Sequence, residues 1–452
     1  MSGWSSGSSI YGGAWSTPEM NGLFDDVPRT RAWLEILAVL AEVQGSNGLI
    51  PSDAAAAVAR GCRSVDIDAA FLDECRLGYE ATGHSTAGLI DAMRRRLPDD
   101  AHEWFYFGAT VQDVTDTWMM LALAQARLFM IRDLDRAITA AAALCREHRD
   151  TVMLGRTHGQ HGLPITFGFK VAGWLAEMHR HRCRFDEIVI RMNVGQLCGG
   201  VGSLSALGPK GLIIQAAFCQ RVGLYPPEIS WTASRDIVVE WAQHLALLCG
   251  IADRVGHEVY SLQRDEIGEL SEGARPGQVS SITMPHKRNP EIAEHMGTLA
   301  RVVRANASLL GESLVHDHER DGRSWKVEWH AVPDATCAAG KAVTLLADLL
   351  ENLVVHADVM RTNLVASGGH IYSEVLMLGL AQQMGKNSAH QVVHRLAQEA
   401  ADQGIDFSDV VRSSDVVRQH LDPAMIEQIF NAAVQTAQCG PLVDRVLGGG
   451  RP

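Results

Sequence analysis

Between Asp113 and Asp150 the chain runs for 38 residues without a glycine or a proline. Those two residues most often interrupt helices, so their absence permits one continuous helix over the run. Asp116 near its start, and Arg146, His148 and Arg149 near its end, match the charge bias of a helix dipole. Such a helix would be about 57 Å long, roughly twice the width of a small domain. Its apolar residues cover more than one face, which requires other helices around it, within one subunit or shared between several.

Comparable helical patterns recur over 166–192, 233–270, 290–314 and 334–364, each bounded by loops carrying Gly or Pro. No strand-like alternation persists beyond a few residues, and no internal repeat is visible. The reading predicts an all-α chain in three parts. They are an N-terminal helical domain over 1–112, a central helical bundle over 113–366 and a C-terminal helical domain over 367–452, the last beginning at the composition change around Ser367-Gly368-Gly369.

The formal net charge of -13 is spread along the chain. That distribution argues against a nucleic acid and against an anionic membrane as partner, so an anionic substrate must meet positive charge placed locally. The nine cysteines stand singly, without a C-x-x-C pair, as expected in a reducing compartment. The first residues lack the basic and apolar regions of an export signal, and a cytoplasmic protein is expected.

Three loops between the predicted helices carry more chemistry than hydrophobic residues. SEGARPGQVSSITMPHKRNP, from Ser271, places hydroxyls, Lys287 and Asn289 after Gly273 and Gly277, with Pro285 and Pro290 fixing the backbone. It suits a lid bearing a catalytic group, or a surface turn leading into the next helix. GRTHGQHGLP, from Gly155, holds Thr157, His158, Gln160 and His161. Two histidines three apart could be half a metal site, but no third ligand stands at a useful spacing; a structural histidine is the other reading. FGATVQDVTDT, from Phe107, holds Thr110 and Gln112, with Asp113 read as a helix N-cap.

Taken together, these loops resemble those of the fumarase/aspartase superfamily, on the branch of adenylosuccinate lyase and 3-carboxy-cis,cis-muconate cycloisomerase. SSITMPHKRNP resembles the signature GSSxMPxKxNP, GRTHGQHGLPITFG the loop GRTHGQHAxPxTFG, and GATVQDVTDT the loop GATSQDVxDT. A HERD segment follows at His318, and the resemblance extends over nearly the whole chain from Ser16. It implies a three-domain, all-α subunit with a long central bundle, no metal or other cofactor, and a homotetramer whose active sites draw their loops from three chains.

The resemblance also carries roles onto residues. The general base falls on Ser281, and His158 is the candidate to protonate or orient the leaving group. Thr110, Gln112, Thr157, Gln160, Lys287, Asn289, His84 and Arg320 are its substrate-binding residues. The chemistry explains these types, because removing a proton beside a carboxylate builds a doubly charged aci-carboxylate that cationic and amide donors must stabilise. Serine can act as the base only if its alkoxide is held by such donors.

Departures from the pattern are informative. Ser280 and Ile282 replace a glycine and a serine of the signature, Val111 replaces a serine, and Ser85-Thr86 follows His84. Where adenylosuccinate lyases carry arginines for the nucleotide, the matching positions read Ala14-Trp15 and Trp329. Losing two charged hydrogen bonds at about 2 kcal/mol each would weaken nucleotide recognition roughly a thousandfold. The expected substrate is a small carboxylate, namely a substituted succinate with a small nitrogen substituent such as nitro, cleaved at C–N to release fumarate. Carboxymuconate cycloisomerisation, adenylosuccinate cleavage and a catalytically silent structural role are the alternatives. Trp325 and Trp329, in W-x-x-E-W, belong to a pocket or to a subunit interface. Ser281→Ala is expected to leave the fold intact and lower turnover by orders of magnitude; a variant keeping more than about a tenth of the wild-type rate removes Ser281 as the base.

Overall fold

The computed structural model of the chain describes residues 10–273 and 283–449. Helix dominates it. An N-terminal group comprises α1 (Asp26–Ser46), α2 (Ser52–Ser64) and α3 (Ala69–Thr82). Long helices follow: α4 (Val111–Glu147), α5 (Phe167–Glu187), α6 (Asp236–Leu262), α7 (Glu291–Glu312) and α8 (Gly322–Glu351). The uninterrupted run is one helix as far as Glu147, as its lack of Gly and Pro permits.

Two expectations are corrected. Residues 152–157 and 160–166 form an antiparallel hairpin, β1 (Val152–Thr157) and β2 (Gln160–Thr166), where no strand was expected. Alternation is a weak signal there because Gly155, Gly162 and Pro164 break the apolar pattern. The last long helix begins at Gly322, with Pro333 inside it, rather than at 334, because a helix start just after a proline looks favourable in sequence while burial of Trp325 and Glu328 holds the preceding turns. It also ends at Glu351. A short pairing of β3 (Leu270–Ser271) with β4 (Val354–Val355) intervenes before α9 (Ala357–Val365).

The chain clusters into two compact units. The first takes the described residues up to Asp133, then His181–Ala252 and Met296–Thr344; the second takes Leu134–Arg180, Asp253–His295 and the chain from Leu345 onward. The second unit includes a C-terminal core of residues such as Leu376, Leu380, Phe407, Val411 and Val417, packed with Leu154.

At the heart of the first unit is a buried ionic triad. Arg235, 1% exposed, donates to Glu328 at 2.7 and 2.5 Å and to Asp116 at 2.9 and 3.1 Å. Its guanidinium also lies 4.9 Å from the Trp231 ring centroid. One cation, on the residue just before α6, thus ties that helix's start to α4 and α8. Burial pushes the Glu328 carboxyl up, while the Arg235 charge draws it down. Breaking such a network by removing one partner is far costlier than its net contribution, because the remaining charges are stranded in low dielectric. Arg235→Met is expected to lose about 3–5 kcal/mol of stability in urea titrations at neutral pH, and a loss below about 1 kcal/mol would show that the triad does not hold these helices.

Candidate active site

In the first unit the site begins with the loop before α4. Tyr106 (φ 66°) and Gly108 (φ 70°) take left-handed backbone and turn the chain into the helix. Asp113, the third helical residue, reaches back to the Thr110 N–H at 2.9 Å. This is the reciprocal half of a capping box, so the residue acts one turn inside the helix rather than as the N-cap expected from sequence. The same carboxylate accepts the N–H groups of Cys198 (2.8 Å) and Gly199 (3.1 Å), clamping a second loop against the first. Burial pushes the Asp113 carboxyl up to about 6, against the opposing pull of these three N–H donors.

The clamp fixes Thr110, whose hydroxyl accepts from Arg320 Nη1 at 2.8 Å. Nε and Nη2 of Arg320 are buried and have no hydrogen-bond partner among the described residues. A half-buried guanidinium with two unspent donors beside a threonine hydroxyl has the geometry to accept a carboxylate. Gln112 is fully buried, its Nε2 donating to Asp116 and to the Thr232 carbonyl, both at 3.2 Å. Thr232 in turn donates to the Glu319 carbonyl at 2.8 Å, which links the two loops that present Thr110 and Arg320. His84 is exposed in this unit, its Nδ1 3.4 Å from the Thr86 N–H.

The second unit carries the other candidates. Thr157 pairs with Gln160 across the hairpin, leaving His158 (φ 53°) and Gly159 (φ 74°) as a two-residue turn with both φ positive. That is the type I′ geometry matched to strand twist, and it presents His158 at an exposed tip. A bulge at Gly155 bends β1, where a Cβ would lie 2.6 Å from the Leu163 carbonyl oxygen. The hairpin is anchored by Arg156, which grips the fully buried Glu269 with two bonds of 2.8 and 2.7 Å. Asn363 also donates to Glu269 at 2.9 Å.

Glu269 and Glu272 flank β3, and the second of these carboxylates caps α7 by accepting the N–H groups of Ile292 (3.2 Å) and Ala293 (2.8 Å). Gln263 accepts the Glu272 N–H at 2.8 Å and donates to the Arg288 carbonyl at 3.0 Å. Both roots of the MPHKRNP-bearing segment are thereby pinned to one another. Lys287 is exposed on a turn whose N–H bonds the Met284 carbonyl at 3.0 Å, and Asn289 is half-buried. Ser281 lies outside the described residues.

Thr110 and Arg320 are thus brought together, as are Thr157, His158 and Gln160 at the hairpin tip. Sequence reasoning missed Asp113 as a clamp, the Arg156–Glu269 pair and Glu272 as a cap. The first two join residues about 85 to 113 positions apart, for which no local signal exists. Among the described residues no group of three or more His, Cys, Asp or Glu side chains could hold a metal ion.

A cavity of about 460 Å³ lies in the first unit, walled by Trp33, Tyr79, Trp118, Trp325 and Trp329 among others. Trp325 and Trp329 meet edge to face, with ring centroids 4.8 Å apart, and both line the cavity. That places the W-x-x-E-W tryptophans at a pocket.

Comparison with known proteins agrees with this architecture. A family model described as Lyase matches residues 14–305, and one described as Adenylosuccinate lyase C-terminus matches residues 369–446. An N-acetyl-S-(2-succino)cysteine lyase from Enterococcus italicus is 34% identical over 432 residues, 96% of this chain and 94% of the relative. An adenylosuccinate lyase from Methanothermobacter thermautotrophicus is 35% identical, with 96% of each chain covered. The crystal structure of 3-carboxy-cis,cis-muconate lactonizing enzyme from Pseudomonas putida superposes with a TM-score of 0.90 at 30% identity, covering 98% of each chain. The chain belongs to this lyase family and is an enzyme of the fumarase/aspartase superfamily.

Arg320→Met removes the unspent donors of the cradle without touching the Asp113 clamp. It is expected to lower kcat/KM for a carboxylate substrate roughly tenfold to a hundredfold with little change in melting temperature. An unchanged kcat/KM would show that this guanidinium does not bind substrate.

Proposed function

We propose that the enzyme cleaves the C–N bond of a substituted succinate by β-elimination and releases fumarate. The observation that carries this reading is the Thr110–Arg320 cradle, whose two open guanidinium donors match a carboxylate. With that carboxylate bound, a base takes the proton from the carbon next to the other carboxylate. The electron pair of that C–H bond forms the double bond, the C–N bond breaks, and nitrogen departs with its pair. Ser281 is the proposed base. Lys287 and Asn289, six and eight residues further along the same segment, would supply charge and an amide donor to the aci-carboxylate.

His158 is the proposed acid for a leaving group that needs a proton. Its place on a tight turn supports this, since a backbone held at φ 53° on an Arg156-anchored hairpin aims the ring with little loss of entropy. The hairpin tip and Lys287 are both exposed, as groups that complete a site with neighbouring chains must be. We place them in the shared active sites of a homotetramer.

Lactonisation or its reverse on a carboxymuconate is the second reading, favoured by W-x-x-E-W and the Pseudomonas putida relative. The two differ in product. Purified enzyme is to be given substituted aspartates, nitrosuccinate, adenylosuccinate, N-acetyl-S-(2-succino)cysteine and 3-carboxy-cis,cis-muconate, with products followed by NMR. Fumarate from a nitrogen-substituted succinate is expected, with kcat/KM on adenylosuccinate about a thousandfold below the best substrate, given Trp329 and Ala14-Trp15 in place of arginines. Lactone formation from the muconate without fumarate from any succinate would replace elimination by cycloisomerisation.

A further inference from the structure

The cavity beside the carboxylate cradle has a chemistry of its own. Thr115 and Asp116, on its wall, lie on α4 five and six residues beyond Thr110, an axial rise of about 7.5–9 Å. Trp325, also on the wall, is five residues beyond Arg320, and Ser85 adjoins His84. The cavity is thus built on the same three stretches of chain that carry Thr110, Arg320 and His84. Its volume of about 460 Å³ falls within the range of pockets that enclose ligands far larger than a nitro group.

Charge on the wall is already committed. Arg29 pairs with Asp26 at 2.5 Å, and Arg76 with Asp73 at 3.2 Å and Glu80 at 2.7 Å. Asp116 and Glu328 are both held by Arg235. Every charged side chain lining the cavity thus has an opposite partner, and an ionic substituent entering it would lose water without gaining a counter-ion. The remaining surface is dominated by four tryptophans, Tyr79, Leu72, Leu89 and Met119. Trp33 Nε1, a buried donor, has no hydrogen-bond partner among the described residues and could serve one acceptor atom.

From this combination we infer that the nitrogen displaced from the succinate carries an uncharged aromatic body, which is received in the tryptophan cavity. The inference rests on the elimination reading of the adjoining site and deepens it by naming the substituent. In the step, the base removes the proton from C3 of the succinate, and that electron pair becomes the C2–C3 double bond. The nitrogen of such a substrate is already protonated near neutral pH, so when the C2–N bond breaks it keeps its pair and leaves as the neutral arylalkyl amine beside fumarate, the C3 proton staying on the base, without any change of oxidation state. Aromatic faces and edges around the ring would supply both burial and edge-to-face contact.

N-benzylaspartate serves as the probe, against aspartate, nitrosuccinate and N-acetyl-S-(2-succino)cysteine, with fumarate release measured for each. Its kcat/KM is expected to exceed that of aspartate roughly tenfold to a hundredfold, the range set by burying one aromatic ring. Trp329→Ala should shrink that ratio about tenfold; Trp329→Leu, which keeps apolar bulk, serves if the alanine variant does not fold. Preference for aspartate or nitrosuccinate, or for the anionic sulfur-linked substituent, would overturn this inference while leaving fumarate release intact. A ratio unmoved in a folded Trp329 variant would overturn it as well. No fumarate from any of the four would overturn the elimination reading and this inference together.

Discussion

The first unit depends on a single guanidinium. Arg235 satisfies two buried carboxylates from different helices, and around it the chain arranges the two loops that present Thr110 and Arg320. Gln112 shares Asp116 with the triad and also donates to the Thr232 carbonyl, while Thr232 holds the Glu319 carbonyl. The ionic core is thus continuous, through hydrogen bonds, with the loops of the residues proposed to receive a substrate carboxylate. A network of this kind favours one arrangement of its helices, because any other would strand a charge out of water.

The same device recurs in the second unit in a different form. Glu269 is fully buried against Arg156 and Asn363, and Glu272 caps α7, so two carboxylates three residues apart hold the His158 hairpin and the root of the segment bearing Lys287. Catalytic groups on loops need such anchoring, since a displacement of about 1 Å can cost a hundredfold in rate. In both units the candidates sit on short turns whose backbones are fixed by buried acids. Chemistry is placed on loops, and precision is supplied from the core.

Specificity follows from what surrounds this frame. Trp325 and Trp329 meet edge to face on the wall of a cavity, and Trp329 is the one that the resemblance sets against a nucleotide-binding arginine of the adenylosuccinate lyases. The charged side chains in its wall have partners of their own, so on the proposed reading the cavity would select by shape and apolar area. On that reading, the carboxylate cradle and the cavity would divide recognition between a charged invariant part of the substrate and an uncharged variable one.

The residues alone revealed a great deal of this. The run from Asp113 to Asp150, without Gly or Pro, pointed to a long helix, and the spellings MPHKRNP, GRTHGQH and GATVQD pointed to the superfamily because each loop packs its polar groups within a few residues. Local patterns of this kind survive in sequence. What tertiary structure decided was every feature made by distant partners: the Arg235 triad across 93 and 119 positions, the Asp113 clamp across 85, and the Arg156–Glu269 pair across 113. The hairpin under His158 belongs with these, since its strands are stabilised by a buried acid more than a hundred residues away and not by alternation within themselves. Long-range pairs of this kind leave no period in the chain; they exist only where burial makes an unpaired charge too costly to leave alone.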